Sequence, residues 1–143
     1  MARMFCLSGE YFHTIDAKGR LFMPAKLRVQ LGAGFYVCKW RENRLSVYSA
    51  DDFQALAEKL NAMPVAKSEP LRKLIFPSAT DCEVDSQGRI LIPQALRRHA
   101  GLQKNAAIVG MGNHVAIWAQ EQYETLAGQD EQSLEEAMRE LQF

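Results

Sequence analysis

Ile15-Asp16-Ala17-Lys18-Gly19-Arg20-Leu21-Phe22-Met23-Pro24-Ala25-Lys26-Leu27-Arg28 recurs 69 positions later as Val84-Asp85-Ser86-Gln87-Gly88-Arg89-Ile90-Leu91-Ile92-Pro93-Gln94-Ala95-Leu96-Arg97. Both copies read apolar-Asp-x-x-Gly-Arg, three apolar residues, Pro, two variable residues, then Leu-Arg. A glycine follows each copy at the same offset, Gly32 and Gly101. Two copies are too few for a solenoid. They imply a pseudo-twofold body, one chain arranged as a homodimer of half-length units would be.

Each copy spells out its local structure. Asp first and Gly fourth suit a type I turn closed by a left-handed glycine, the hairpin loop with a bulge. Gly19 and Gly88 supply the positive φ, and Asp16 and Asp85 can accept backbone N–H bonds within their turns. The runs 21–23 and 90–92 are returning strands. Pro24 and Pro93 fit the first position of a short helix, on which Leu27 and Leu31, or Leu96 and Ala100, share a face. Arg20 and Arg89 each follow a bulge glycine at the edge of a rigid tip, where the bulge helps set the side chain's direction.

Around the copies, residues 10–15 form a strand with Tyr11, His13 and Ile15 on one face by alternation. Residues 35–40 and 45–48 form a hairpin turned at 41–44, with Arg41 and Arg44 expected in solvent. Residues 106–111 and 115–118 repeat it at an offset of 70, the extra residue being assigned to the turn. Ser49 caps a helix carrying Phe53, Leu56, Ala57 and Leu60. Tyr123, Leu126 and Ala127 echo its start. Residues 65–70 read as a linker, residues 70–76 as a short helix broken by Pro77, and Ser133-x-x-Glu136 as a capping box for a last helix with the stripe Leu134, Ala137, Met138 and Leu141. Such a short helix needs something to dock on. The expected units are 5–62, 70–128 and an acidic tail, 129–143.

The 143 residues fit one domain or two fused halves. No apolar run approaches the ~20 residues of a membrane span, and residues 1–7 lack the apolar run of a secretory signal. Cytoplasm is the expectation. Three cysteines, Cys6, Cys38 and Cys82, have no metal-ligand spacing. No matching His accompanies them as a catalytic partner, and His13, His99 and His114 sit in dissimilar contexts. The glycines at 110 and 112 lack the spacing of a phosphate loop. No catalytic residue, metal, cofactor or small-molecule substrate is expected. Net charge is zero, but from residue 121 onward seven acids face Arg139 alone, which leaves a surplus of six positive charges on residues 1–120. Residues 16–28 carry four bases and one acid, and residues 85–98 three bases and one acid. Phosphate binding needs local, not global, positive potential.

The doubled block resembles the MraZ family of bacterial transcriptional regulators, whose paired Asp-x-x-x-Arg motifs are matched by Asp16…Arg20 and Asp85…Arg89. More remotely it is similar to single-copy swapped-hairpin DNA-binding domains of the AbrB type. The resemblance implies an α+β fold, an intertwined double-split β-barrel of two swapped-hairpin repeats with short helices. It implies a nucleoid-associated, non-enzymatic regulator that binds spaced direct repeats in double-stranded DNA upstream of division and cell-wall genes, its own promoter included, as a ring-shaped homo-oligomer. Arg20, Arg89, Lys18, Lys26, Arg28, Arg97 and Arg98 are the expected DNA contacts, and Asp16, Gly19, Asp85 and Gly88 the scaffold. Lys18 is matched by Gln87, so the second tip is less basic. The alternative is an oligomeric scaffold or antitoxin-like partner-binding protein, favoured by the acidic, striped tail. An enzyme built on the paired Asp and Arg would need a His, Cys or metal set that neither copy has nearby.

Overall fold

The structure, a computed structural model, describes residues 6–126 and 130–142. Its elements in chain order are β1 (Glu10–Thr14), β2 (Arg20–Phe22), α1 (Ala25–Leu31), β3 (Phe35–Trp40), β4 (Arg44–Ser49), α2 (Ala50–Ala62), α3 (Val65–Ile75), β5 (Thr80–Cys82), β6 (Arg89–Leu91), α4 (Gln94–Ala100), β7 (Asn105–Gly110), β8 (Val115–Ala119), α5 (Gln120–Leu126) and α6 (Glu131–Leu141). The fold is α+β, with one six-stranded antiparallel sheet in the order β1-β7-β8-β4-β3-β5 and a two-stranded ribbon, β2-β6. The large sheet ends at two edges, β1 and β5, rather than closing into the expected barrel.

Pairing crosses between the repeats. β1 of the first copy pairs with β7 of the second, β5 of the second with β3 of the first, and the ribbon takes one strand from each. The pseudo-twofold axis can be located from register. Ser46 faces Ala116 at the middle of the β4–β8 pairing, with Leu45 opposite Ile117 and Val47 opposite Val115. Leu21 faces its own repeat equivalent, Ile90, at the middle of the ribbon. A short strand pair is marginal alone in water, so this ribbon depends on the core it covers. Leu21, Met23, Leu27, Phe35, Val37, Leu45, Ile90, Ile92, Leu96 and Ile117, drawn from both repeats, form that core between the ribbon, α1, α4 and one face of the sheet. On the other face α2 and α3 cover Cys38 and Tyr48, and α5 covers Trp118 and Ala107.

Several elements differ from the sequence reading. The ribbon strands begin one residue earlier, on the arginines themselves. Pro24 and Pro93 stand just outside their helices, as the N-cap residues. Their carbonyls accept the first helical bonds, from Arg28 N and Arg97 N. Ser49 does cap α2, accepting Asp52 N at 3.1 Å. The stretch 65–70 is not a linker. It is the first half of α3, which starts after Pro64 and tolerates Pro70 inside. There Arg72 donates from Nε to the Ser68 hydroxyl at 2.9 Å and from Nη2 to Leu60 O of α2 at 3.1 Å, which ties the two helices together. The cap of α6 is Asp130, whose side chain accepts Ser133 N, so the helix starts two residues before the expected cap. Its residues are all exposed. Ala127 and the boundary near residue 128 lie outside the described residues.

The repeat drift also has a fuller cause than one turn. Buried Val37 and Ile108 occupy matching positions, opposite Val47 and Ile117, at an offset of 71. Two extra residues therefore precede β7. The second hairpin turn is one residue shorter, which brings β8 back to an offset of 70. Arg44 is not in solvent. It is 7% exposed, and its guanidinium lies 5.0 Å from the Trp118 ring centre, a cation–π contact.

Candidate nucleic-acid interface

The two tips are wired alike. In the first, Gly19 N donates to Asp16 O at 2.9 Å and Asp16 N to Arg20 O at 3.1 Å. The Asp16 carboxylate then accepts three bonds, from Lys18 N (3.0 Å), Arg20 N (2.8 Å) and Arg20 Nε (2.6 Å). In the second, Asp85 accepts Gln87 N at 2.8 Å, Arg89 N at 2.9 Å and Arg89 Nε at 3.2 Å. The aspartate thus shapes the turn with one oxygen and aims the arginine with the other. The Arg20 backbone N–H, foremost, holds the Asp16 carboxyl down at about 2. The Arg89 backbone N–H lowers Asp85 likewise. Both remain anionic partners at neutral pH.

Gly19 and Gly88 have φ of +92° and +81°, as the bulge requires. They also sit where a side chain would collide. A Cβ on Gly19 would lie 2.7 Å from Ile92 O, and one on Gly88 2.8 Å from Phe22 Cε1. The crowding arises because each turn is bonded to the other repeat: Ile92 N donates to Gly19 O at 2.8 Å and Met23 N to Gly88 O at 2.9 Å.

Alternation fixes what the ribbon shows. Leu21 and Ile90 are fully buried, so Arg20, Phe22, Arg89 and Leu91 occupy the outer face. Arg20 stands opposite Leu91 and Phe22 opposite Arg89. Asp16 Oδ2 also lies 3.9 Å from Arg89 Nη1, so one carboxylate stands between the arginines of both repeats. Neither this link nor the outward Leu91 was expected from the sequence, although the alternation around Leu21 and Ile90 carries the signal for the latter.

The other expected contacts divide. Lys18, at the first turn, and Lys26 and Arg98, on α1 and α4, are exposed. Arg28 and Arg97, equivalent positions, are half-buried, each lying against the turn of the other repeat. Arg97 Nε donates to Ile92 O at 2.9 Å, and the Arg28 guanidinium lies 5.5 Å from the Phe22 ring centre. Burial pushes the Cys38 thiol up to about 12 and Cys82 to about 11, so neither is a ready thiolate. Among the described residues no group of three or more His, Cys, Asp or Glu is placed to hold a metal ion, and no helix is long and apolar enough to cross a membrane.

Two interlocked halves that bring a pair of aspartate-aimed arginines to one ribbon face define a tandem-repeat protein with a single paired-tip surface. Comparison with known proteins gives that class its family. The family model "MraZ protein, putative antitoxin-like" matches residues 6–73 and 75–143. "Transcriptional regulator MraZ" of Ligilactobacillus salivarius (strain UCC118) is 42% identical over 130 residues, 90% of this chain and 91% of its own. The protein of that name from Heliobacterium modesticaldum (strain ATCC 51547 / Ice1) is 46% identical over 117 residues, 80% of this chain and 82% of its own. The chain belongs to the MraZ family. Among solved structures, one in solution from Pyrococcus horikoshii aligns over 80% of this chain and 89% of its own at 17% identity and a TM-score of 0.34, too slight a likeness to define a shared fold.

Proposed function

We propose that this protein is a non-enzymatic, sequence-specific DNA-binding regulator of transcription. The observation that carries this reading is the placement of Arg20 and Arg89 on one outward ribbon face, each aimed by its own aspartate. An arginine anchored through Nε keeps its Nη donors for a base edge, and bidentate arginine–guanine contacts are the commonest specific ones in the major groove. Lys18, Lys26 and Arg98 supply phosphate contacts that set register and carry no sequence information themselves. Arg28 and Arg97, half-buried against the turns of the opposite repeat, add positive charge beside the tips as further phosphate contacts, over the scaffold of Asp16, Gly19, Asp85 and Gly88.

The family relationship supports the finer reading. The cross-repeat pairing is that of swapped hairpins, with 5–62 and 70–128 as interdependent halves and 129–143 as a tail. The target is a set of spaced direct repeats upstream of the division and cell-wall genes, the protein's own promoter among them. A ring of subunits would engage several repeats together, each weak contact raised by effective concentration. The site of action is then the cytoplasmic nucleoid. A second reading, a scaffold that holds a protein partner, is favoured by one observation, the exposed Leu134, Met138 and Leu141 on α6.

Footprinting of the purified protein on the DNA upstream of its own gene tests the primary reading. Protected patches of one sequence recurring at constant spacing are expected. Uniform protection, or none, would overturn it.

A further inference from the structure

The outer face of the ribbon is asymmetric, and the asymmetry is apolar. Phe22 and Leu91 are equivalent positions of the two repeats, each directly opposite the other repeat's arginine. Phe22 is folded down. Its ring makes an edge contact with His13, centroids 5.0 Å apart, lies under the Arg28 guanidinium, and fills the space over Gly88. In the other half the space over Gly19 is taken instead by Arg97, held there by its bond to Ile92 O. Leu91 does not fill that space, and it stands 58% exposed opposite Arg20. Exposure of a large aliphatic group has no folding rationale at this point. Two guanidinium groups on the same small face dictate what kind of surface can cover it.

The floor of the DNA major groove offers both kinds of partner, acceptors for guanidinium groups and an apolar methyl. A two-stranded ribbon fits a groove about 12 Å wide, and the thymine C5-methyl is its one apolar feature. We propose that Leu91 is a specificity-determining residue that packs on a thymine methyl next to the base pair contacted by Arg20. The first half of the ribbon, with Phe22 withdrawn, reads by hydrogen bonds alone, so each protein unit reads its site with a direction. Directional reading suits tandem direct repeats better than palindromes. The inference rests on the DNA-binding function proposed above.

Replacing thymine by deoxyuridine removes the methyl and leaves every hydrogen-bonding group. Affinities of wild type and Leu91→Ala are compared on three duplexes: the DNA upstream of the protein's own gene, the same DNA with each thymine in turn replaced by deoxyuridine, and a scrambled sequence. Burying one methyl group is worth about a fourfold change in affinity. Wild type should lose about that much at one thymine per repeat. Leu91→Ala should be weaker on the natural duplex and indifferent to deoxyuridine at that position, with unchanged melting. A wild type indifferent to every deoxyuridine, yet still preferring its own DNA to scrambled, overturns the role of Leu91 and spares the DNA-binding reading. A variant as sensitive as wild type has the same meaning, as does a loss on Leu91→Ala that comes with a changed oligomeric mass and no methyl dependence. A wild type that does not distinguish its own DNA from scrambled removes both.

Discussion

Asp16 of the first repeat stands 3.9 Å from Arg89 of the second while bonding Arg20 of its own at 2.6 Å. One carboxylate therefore holds Arg20 by a hydrogen bond and attracts Arg89 through its charge. It aims the Arg20 guanidinium, and it places a negative charge between the two arginines where phosphate would otherwise be welcome.

Asp16→Asn separates these effects. The amide can still accept the Lys18 and Arg20 backbone N–H groups, so the turn should survive. The charge on the arginines is no longer balanced. Affinity for scrambled DNA should rise about two- to fivefold, the scale of one exposed charge pair, while the preference for the natural sequence shrinks. Filter binding on both duplexes at several salt concentrations checks this. An unchanged preference would show that Asp16 does not aim the arginines.

Gly19→Val should act on the fold first. A β-branched residue at φ +92° is strained by about 1–3 kcal/mol, and its Cβ would meet the backbone oxygen of Ile92, which cannot swing aside as a side chain can. Melting should fall by roughly 5–10 °C. A variant that melts like wild type but fails to bind would instead mean that Gly19 makes room for the DNA.

Acid should loosen the tips in a defined window. Asp16 titrates at about 2 when folded against an ordinary 3.8, and Asp85 is shifted in the same direction. A depressed carboxylate contributes stability that is complete above its unfolded pKa and lost as pH falls through the folded one. The urea midpoint of wild type should thus exceed that of Asp16→Asn by a constant amount at neutral pH. The gap should close between about pH 4 and pH 2. A gap that persists at pH 2 would place its cause elsewhere than in ionisation.

Loss of the tail should affect assembly more than contact. α6 exposes Leu134, Met138 and Leu141 beside Glu131, Glu135 and Glu140. An amphipathic face of this kind suits a head-to-tail contact with a neighbouring subunit, and its charge disfavours a place near phosphate. Truncation before residue 129 should lower the mass seen by light scattering and weaken binding to tandem repeats. Contact with a single repeat should stay level or strengthen slightly. An undisturbed mass with undiminished tandem binding would make α6 a solvated appendage.

The tips were legible in the sequence because their signals are local. Asp at the first turn position, Gly at the fourth and Pro after three apolar residues each act within a few residues, and repetition removed the ambiguity that a single copy would carry. Long-range consequences were not legible. The placement of Arg28 and Arg97 against the opposite repeat's turn depends on contacts between the two halves. The burial of Arg44 depends on Trp118, 74 positions away in sequence. Pro70 misled for a different reason: proline usually starts or stops a helix, but here Arg72 donates back across it to the Ser68 hydroxyl and over to Leu60 O of α2. The capping box at Ser133 gave way to Asp130, a better placed cap for the same turn.

If the paired arginines read DNA, the double variant Arg20→Ala/Arg89→Ala must lose that reading. Its affinity for the DNA upstream of the protein's own gene is measured beside wild type and each single variant, across a salt series and against a scrambled duplex. One lost bidentate contact is worth about 1–3 kcal/mol, or roughly 5- to 150-fold, per engaged subunit, and subunits acting together multiply it. Each single variant should weaken specific binding, and the double variant should bind both duplexes alike, with salt-dependent residual affinity from the remaining basic residues and with wild-type melting and mass. A folded double variant that still prefers the natural sequence as strongly as wild type does would contradict the arginines' role.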